Sequence, residues 1–143
     1  MKYKLLVLDV DGTLLNDAKE ISKRTLASLL KVQQMGIRVA LASGRPTYGL
    51  MPLAKTLELG NYGGFIISYN GGQIINAQNG EILFERRINP EMLPYLEKKA
   101  RKNNFAIFTY HDDTILTDSS DNEHVHAEAN LCLLYTSDAA DDR

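Results

Sequence analysis

Apolar and polar residues alternate in blocks of two kinds along the first half of this chain. Tyr3–Leu8 is short, apolar and stopped by acids, the pattern of a buried strand. Over Ile21–Met35, Leu26, Leu29, Val32 and Met35 recur at i+3 and Leu30 widens the stripe, which predicts an amphipathic helix. Ser22 is placed to cap that helix, Ile21 and Leu26 to staple its start, and Gly36 to end it. Ile37–Ala42 reads as a second buried strand. Pro46 suits the first turn of another helix, expected to run to about Leu59 with a kink at Pro52. Phe65–Ser68 reads as a third strand. Strand, helix, strand, helix, strand is the signature of a parallel sheet with right-handed crossovers.

After Tyr69 the rhythm changes. Gln73–Asn76 and Glu81–Ile88 predict paired strands around the Asn79-Gly80 turn. Asn89 and Pro90 open a helix expected through about Lys102, with Leu93, Leu96 and Ala100 at helical spacing. Phe105–Tyr110 and Thr114–Thr117 read as two more strands, and Glu123–Asn130 as a short helix. The expected class is α/β: a Rossmann-like parallel sheet over residues 1–84, then a partial α+β insertion over 85–131.

Composition narrows the partners. The chain has 143 residues, 44% hydrophobic and 24% charged, with a net charge of −2 and one cysteine. No basic tract suggests nucleic acid, no segment is apolar enough to span a bilayer, and no disulfide framework is possible. Asp9 and Asp11 interrupt the N-terminal apolar run too early for a signal peptide, so a cytoplasmic location is expected. The sequence says nothing of oligomeric state.

The candidate chemistry sits at the ends of the three predicted strands. Leu8-Asp9-Val10-Asp11-Gly12-Thr13 delivers two carboxylates to a tight turn. Asp9 is placed to act as a nucleophile, and Asp11, two residues on, as general acid and then base. Hard oxygen donors with few protein contacts suit Mg²⁺, which retains water and binds substrate phosphate. Gly12 allows close backbone approach, and Thr13 offers a hydroxyl. After the second strand, Ser43, Gly44 and Arg45 precede a helix start, where amides favour an anion. After the third come Tyr69-Asn70-Gly71-Gly72, with Asn70 able to meet substrate. Parallel strands open all three loops on one sheet edge. Asp121, Glu123, His124 and His126 form a possible metal cluster, more simply read as solvated surface. Glu85, Arg86 and Arg87 fit the charges usual at a strand edge.

With Asp9, Asp11, Gly12, Thr13, Ser43 and Asn70 in place, the chain resembles the haloacid dehalogenase-like (HAD) hydrolases, and within them the Cof-type subclass IIB phosphatases. The resemblance implies a Rossmann-like core, a cap inserted after the third strand, and Mg²⁺-dependent hydrolysis of small phosphorylated metabolites through an aspartyl-phosphate. It makes Asp9 the nucleophile and a metal ligand. Asp11 becomes the acid/base, with its main-chain carbonyl toward the metal, and Ser43 a phosphate ligand. A phosphomutase, or a non-catalytic fragment binding phosphate or metal, are the other readings.

The family pattern continues with a lysine and an acidic Gly-Asp motif, neither of which is recognisable here. The stretch from Cys132 to Asp141 resembles the translation of a transposon-end adapter used in DNA library preparation. Residues 132–143 are therefore expected to be a non-native tail, and the chain an N-terminal fragment with little activity and marginal stability. On the opposite reading the frame is genuine, and Asp138 and Asp142 become metal ligands of a minimal phosphatase.

Overall fold

The computed structural model describes residues 3–132 and 134–138, apart from the side chain of Asp138. Contacts divide the chain after Arg86 into two compact units. Asp142 lies outside the described residues.

The first unit is a five-stranded sheet in the order β1 (Leu5–Asp9), β2 (Arg38–Ala42), β3 (Phe65–Ser68), β4 (Gln73–Asn76) and β5 (Ile82–Glu85). β1, β2 and β3 are parallel, as the sequence pattern predicts, with Leu8 opposite Leu41 and Leu41 opposite Ile66. β4 and β5 add antiparallel. Helix α1 (Lys23–Gln34) links β1 to β2, and its cap is the expected one: Ser22 Oγ accepts from the Thr25 amide at 3.1 Å. Helix α2 (Thr47–Thr56) links β2 to β3. It stops short of Leu59 because Glu58 turns left-handed at φ 54° and the chain closes through Gly64 N–H to Leu59 C=O. Pro52 is accommodated inside the helix on its exposed side.

Period-two alternation decides what the sheet buries. Leu6, Leu8, Val39, Leu41, Ile66 and Ile75 share one face, and both α1 (Leu26, Leu29) and α2 (Leu50, Ala54) pack against it. On the opposite face of β1, Leu5 and Val7 remain 48% and 49% exposed. Farther along that face, the Arg38 guanidinium lies over the Phe65 ring, 5.8 Å from its centroid.

In the second unit, Asn89 caps a single 3₁₀ turn, and helix α3 begins only at Leu93, running to Lys102. β6 starts at Phe108 rather than Phe105. Asn104 at φ 56° and the Phe105 amide bond to Ala100 C=O belong to the helix terminus, leaving Phe105 71% exposed. β6 (Phe108–His111) pairs antiparallel with β7 (Thr114–Thr117). Helix α4 (Glu123–Cys132) packs Val125 and Ala129 against Ile115. Leu131 and Cys132 close α4, and Tyr135 opens β8 (Tyr135–Asp138), which pairs parallel with β7.

Candidate active site

The site is built by three loops that leave β1, β2 and β3 at the same edge. Asp9 ends β1. Val10 and Leu14 then bury their side chains, and the Leu15 amide donates to Val10 C=O at 3.0 Å, closing a tight turn. Anchored at both ends, the turn leaves Asp9, Gly12 and Thr13 exposed. Gly12 has φ 77°, and a Cβ there would meet nothing within 4 Å. The requirement for glycine is therefore conformational rather than steric. The Asp9 carboxylate has no hydrogen-bond or ion-pair partner among the described residues.

The second and third loops interlock through main chain and side chain. Ser43 N–H donates to Ile67 C=O at 3.0 Å, Tyr69 N–H to Arg45 C=O at 3.0 Å, and Asn70 N–H to Ser43 C=O at 3.1 Å. Ser43 Oγ accepts from the Arg45 amide at 3.1 Å, a short turn that presents the hydroxyl at the start of α2. Tyr69 and Asn70 are both left-handed, at φ 53° and 55°. A Cβ on Gly44 would fall 3.2 Å from Asn70 Oδ1, so glycine here keeps the Asn70 amide in place. Beneath the loops, buried Ser68 shares a 2.7 Å hydrogen bond with Thr47, Thr47 donates to Gln73 at 2.7 Å, and Gln73 to Glu85 at 2.8 Å.

Asp11 joins the first loop to the second. Arg45, only 7% exposed, grips it with a fork: Nε to Oδ2 at 2.8 Å and Nη2 to Oδ1 at 2.7 Å. Lys19 Nζ approaches Oδ1 from the solvent side at 3.2 Å. The Arg45 hydrogen bonds hold the Asp11 carboxyl below its ordinary value near 3.8; partial burial opposes them, and Lys19 assists. The structure thus brings Asp9, Asp11, Ser43, Gly44, Arg45 and Asn70 to one edge. Arg45, read in the sequence as a substrate ligand, spends its guanidinium on Asp11. The sequence reading did not find Lys19. Its one signal is the turn-prone Asn16-Asp17 pair, which marks a loop without showing where the lysine points.

The donor set suits a magnesium ion as far as it goes. Asp9 offers a free carboxylate, and the Asp11 side chain is committed to cations, which leaves its main-chain carbonyl as a second oxygen donor. Mg²⁺ completes such a set with water and substrate phosphate. No group of three or more His, Cys, Asp or Glu side chains suited to a metal occurs among the described residues. His124 lies 3.9 Å from Glu123 with both side chains more than 80% exposed, a solvated pair. Among the described residues no helix is long and apolar enough to cross a membrane.

Known proteins share this sequence pattern and fold. Residues 6–140 match the haloacid dehalogenase-like hydrolase family. A haloacid dehalogenase-like hydrolase from Bacteroides thetaiotaomicron superposes with a TM-score of 0.90 at 47% identity, over 96% of this chain and 52% of that one. The HMP-PP phosphatase of Cronobacter sakazakii is 28% identical over 126 residues, 88% of this chain and 45% of that protein. The HAD subclass IIB sugar phosphatase BT4131 shares the fold at 19% identity, with a TM-score of 0.73 over 96% of this chain and 54% of that one. The chain thus spans about half the length of these relatives. The interlocked strand-end loops and the family match across both units lead to one conclusion: this chain belongs to the haloacid dehalogenase-like hydrolases.

Proposed function

We propose that this chain carries the nucleophile and the acid/base of a Mg²⁺-dependent phosphatase acting on small phosphorylated metabolites, and that it is the N-terminal part of that enzyme. The observation that carries the reading is the contrast between two carboxylates two residues apart. Asp9 is exposed and has no partner among the described residues, whereas Asp11 is fixed by the Arg45 fork. A nucleophile must be free to approach phosphorus, and an acid/base must be held where the leaving oxygen departs.

In this scheme an Asp9 oxygen attacks phosphorus and displaces the leaving oxygen, which takes a proton from Asp11; the Arg45 fork and Lys19 favour the ionised carboxylate, so Asp11 carries that proton only once bound substrate draws these cations away. Water then attacks the aspartyl-phosphate while Asp11 accepts a proton. Ser43 Oγ, held by the Arg45 amide, and the amide of Gly44 face the phosphoryl oxygens, Gly12 and Thr13 line the near side, and Asn70 closes the third. Bound Mg²⁺, held by Asp9 and the Asp11 carbonyl, would offset negative charge on the phosphoryl group. The HMP-PP and sugar phosphatases among the relatives support a small phosphorylated substrate.

Two experiments test the reading. Tetrafluoroberyllate with Mg²⁺ should give a bound ¹⁹F resonance on this chain, since exchange of one fluoride, released to solvent, for an Asp9 oxygen leaves a trifluoroberyllate that mimics the phosphoryl group. No bound signal at saturating Mg²⁺ would count against a phosphoryl site. Sequencing the parent DNA past the Leu131 codon on an unfragmented template should show the frame running on to a lysine and a Gly-Asp motif. A frame that encodes Ser137-Asp138-Ala139-Ala140-Asp141-Asp142-Arg143 would make the tail native.

A further inference from the structure

We propose that Lys19 reads the leaving group, so that this site favours compounds in which the departing fragment carries a second phosphate; the inference rests on the phosphoryl-transfer reading above. Lys19 is surplus to what Asp11 needs. Arg45 already occupies both carboxylate oxygens from inside the protein, at 2.7 and 2.8 Å. Lys19 adds a longer contact, 3.2 Å, from a side chain that is 56% exposed. An exposed third contact of this kind contributes little to stability.

The backbone nevertheless places it there. Lys19 is left-handed at φ 60°, a region that favours glycine or asparagine over lysine. The loop enforces that conformation: Lys19 N–H donates to Asn16 C=O at 2.9 Å, Asn16 N–H to Glu20 C=O at 3.0 Å, and Glu20 N–H to Asn16 Oδ1 at 2.9 Å. The loop thus fixes the point from which the lysine reaches the site, and its exposed ammonium keeps donors for a ligand beyond Asp11.

Position and charge identify that ligand. Attack by Asp9 is in line, so the leaving group departs on the opposite side of phosphorus, where Asp11 handles its oxygen. Lys19, which reaches Asp11 Oδ1 from an exposed side chain, therefore stands beside the departing fragment. Asp9, Asp11, Arg45 and Lys19 are neutral as a set, and a divalent cation brings two positive charges, which the transferring phosphoryl dianion matches. A second phosphate needs another cation. Arg45 is buried and doubly committed, whereas Lys19 has three donors, uses one on Asp11, and faces solvent.

The test is a ratio of affinities. The 143-residue chain, with Mg²⁺ in excess, is titrated calorimetrically with inorganic phosphate and with methylenediphosphonate. The diphosphonate should bind about tenfold tighter, the scale of one added charge-assisted contact to phosphate. Lys19→Met should reduce the ratio to near unity while phosphate affinity stays within about twofold, and Lys19→Arg should keep most of the preference. Melting of Lys19→Met should match the parent chain, as expected for an exposed side chain. Equal affinity for the two probes in the parent chain, or a preference that survives Lys19→Met, overturns the inference and leaves the phosphatase reading standing. Binding of neither probe overturns both.

Discussion

Asp9→Asn is expected to abolish the tetrafluoroberyllate adduct of this chain. In a protein that carries the chain together with the later lysine and acid, it should lower phosphate release by about ten-thousand-fold or more, the scale seen when a covalent nucleophile is removed. An amide nearly matches the carboxylate in shape but has neither the nucleophilic oxygen nor the charge. Asp9 has no partner among the described residues and lies exposed at the tip of β1, so stability should change by no more than about 0.5 kcal/mol. Phosphate release and thermal melting are measured on the same preparation. An active, normally folded Asp9→Asn protein would show that the nucleophile lies elsewhere.

Arg45→Met should destabilise the first unit by about 2–3 kcal/mol, because two charge-assisted hydrogen bonds are lost. For a unit of this size that lowers the melting temperature by roughly 10 °C or more. The cost stays at that level because Asp11 is 31% exposed and recovers water when its partner is removed. The effect depends on pH in a defined direction. Asp11 in the folded chain titrates below its ordinary 3.8, so the stabilisation is fully present above that value and is lost as pH falls through the folded one. The gap between parent chain and variant, measured with chelator present, should be constant near neutral pH and close below about pH 4. A gap that persists into strong acid would mean that Arg45 acts through packing. A double-mutant cycle with Asp11→Asn separates the pair's coupling from the rest.

Much of the fold could be read from the chain because its determinants are local. The Ser22 cap, the i+3 stripe of α1, the acid-stopped apolar run of β1 and the Asn79-Gly80 turn each act within a few residues. The strand-end motifs were legible for the same reason: parallel strands linked by helices must open their loops on one edge, so Asp9, Ser43 and Asn70 converge without any knowledge of contacts. What escaped were pairings across sequence. Arg45 and Asp11 are 34 residues apart, and nothing near Arg45 says that its guanidinium turns inward to a carboxylate rather than outward to substrate. The left-handed backbone at Lys19, Tyr69 and Asn70 escaped for another reason, since tertiary hydrogen bonds impose a conformation that local propensity disfavours. The α2 terminus was overestimated because Leu57 and Leu59 continue an apolar pattern that serves the core from a turn.

The position of β1 in its sheet has a consequence for how firmly Asp9 is mounted. Among the described strands β1 pairs only with β2, and in a parallel pair each residue turns both its main-chain groups to the same side. Arg38 N–H donates to Lys4 C=O at 3.0 Å, so Lys4, Leu6 and Leu8 face β2 while Leu5 and Val7 turn their amides away from it. Deuterium should therefore enter β1 with a period of two, quickly at Leu5 and Val7 and slowly at Leu6 and Leu8. Occupation of the free side by a further strand would erase that alternation, so the exchange pattern of β1 reports directly on whether the strand carrying the nucleophile is held from one side or from both.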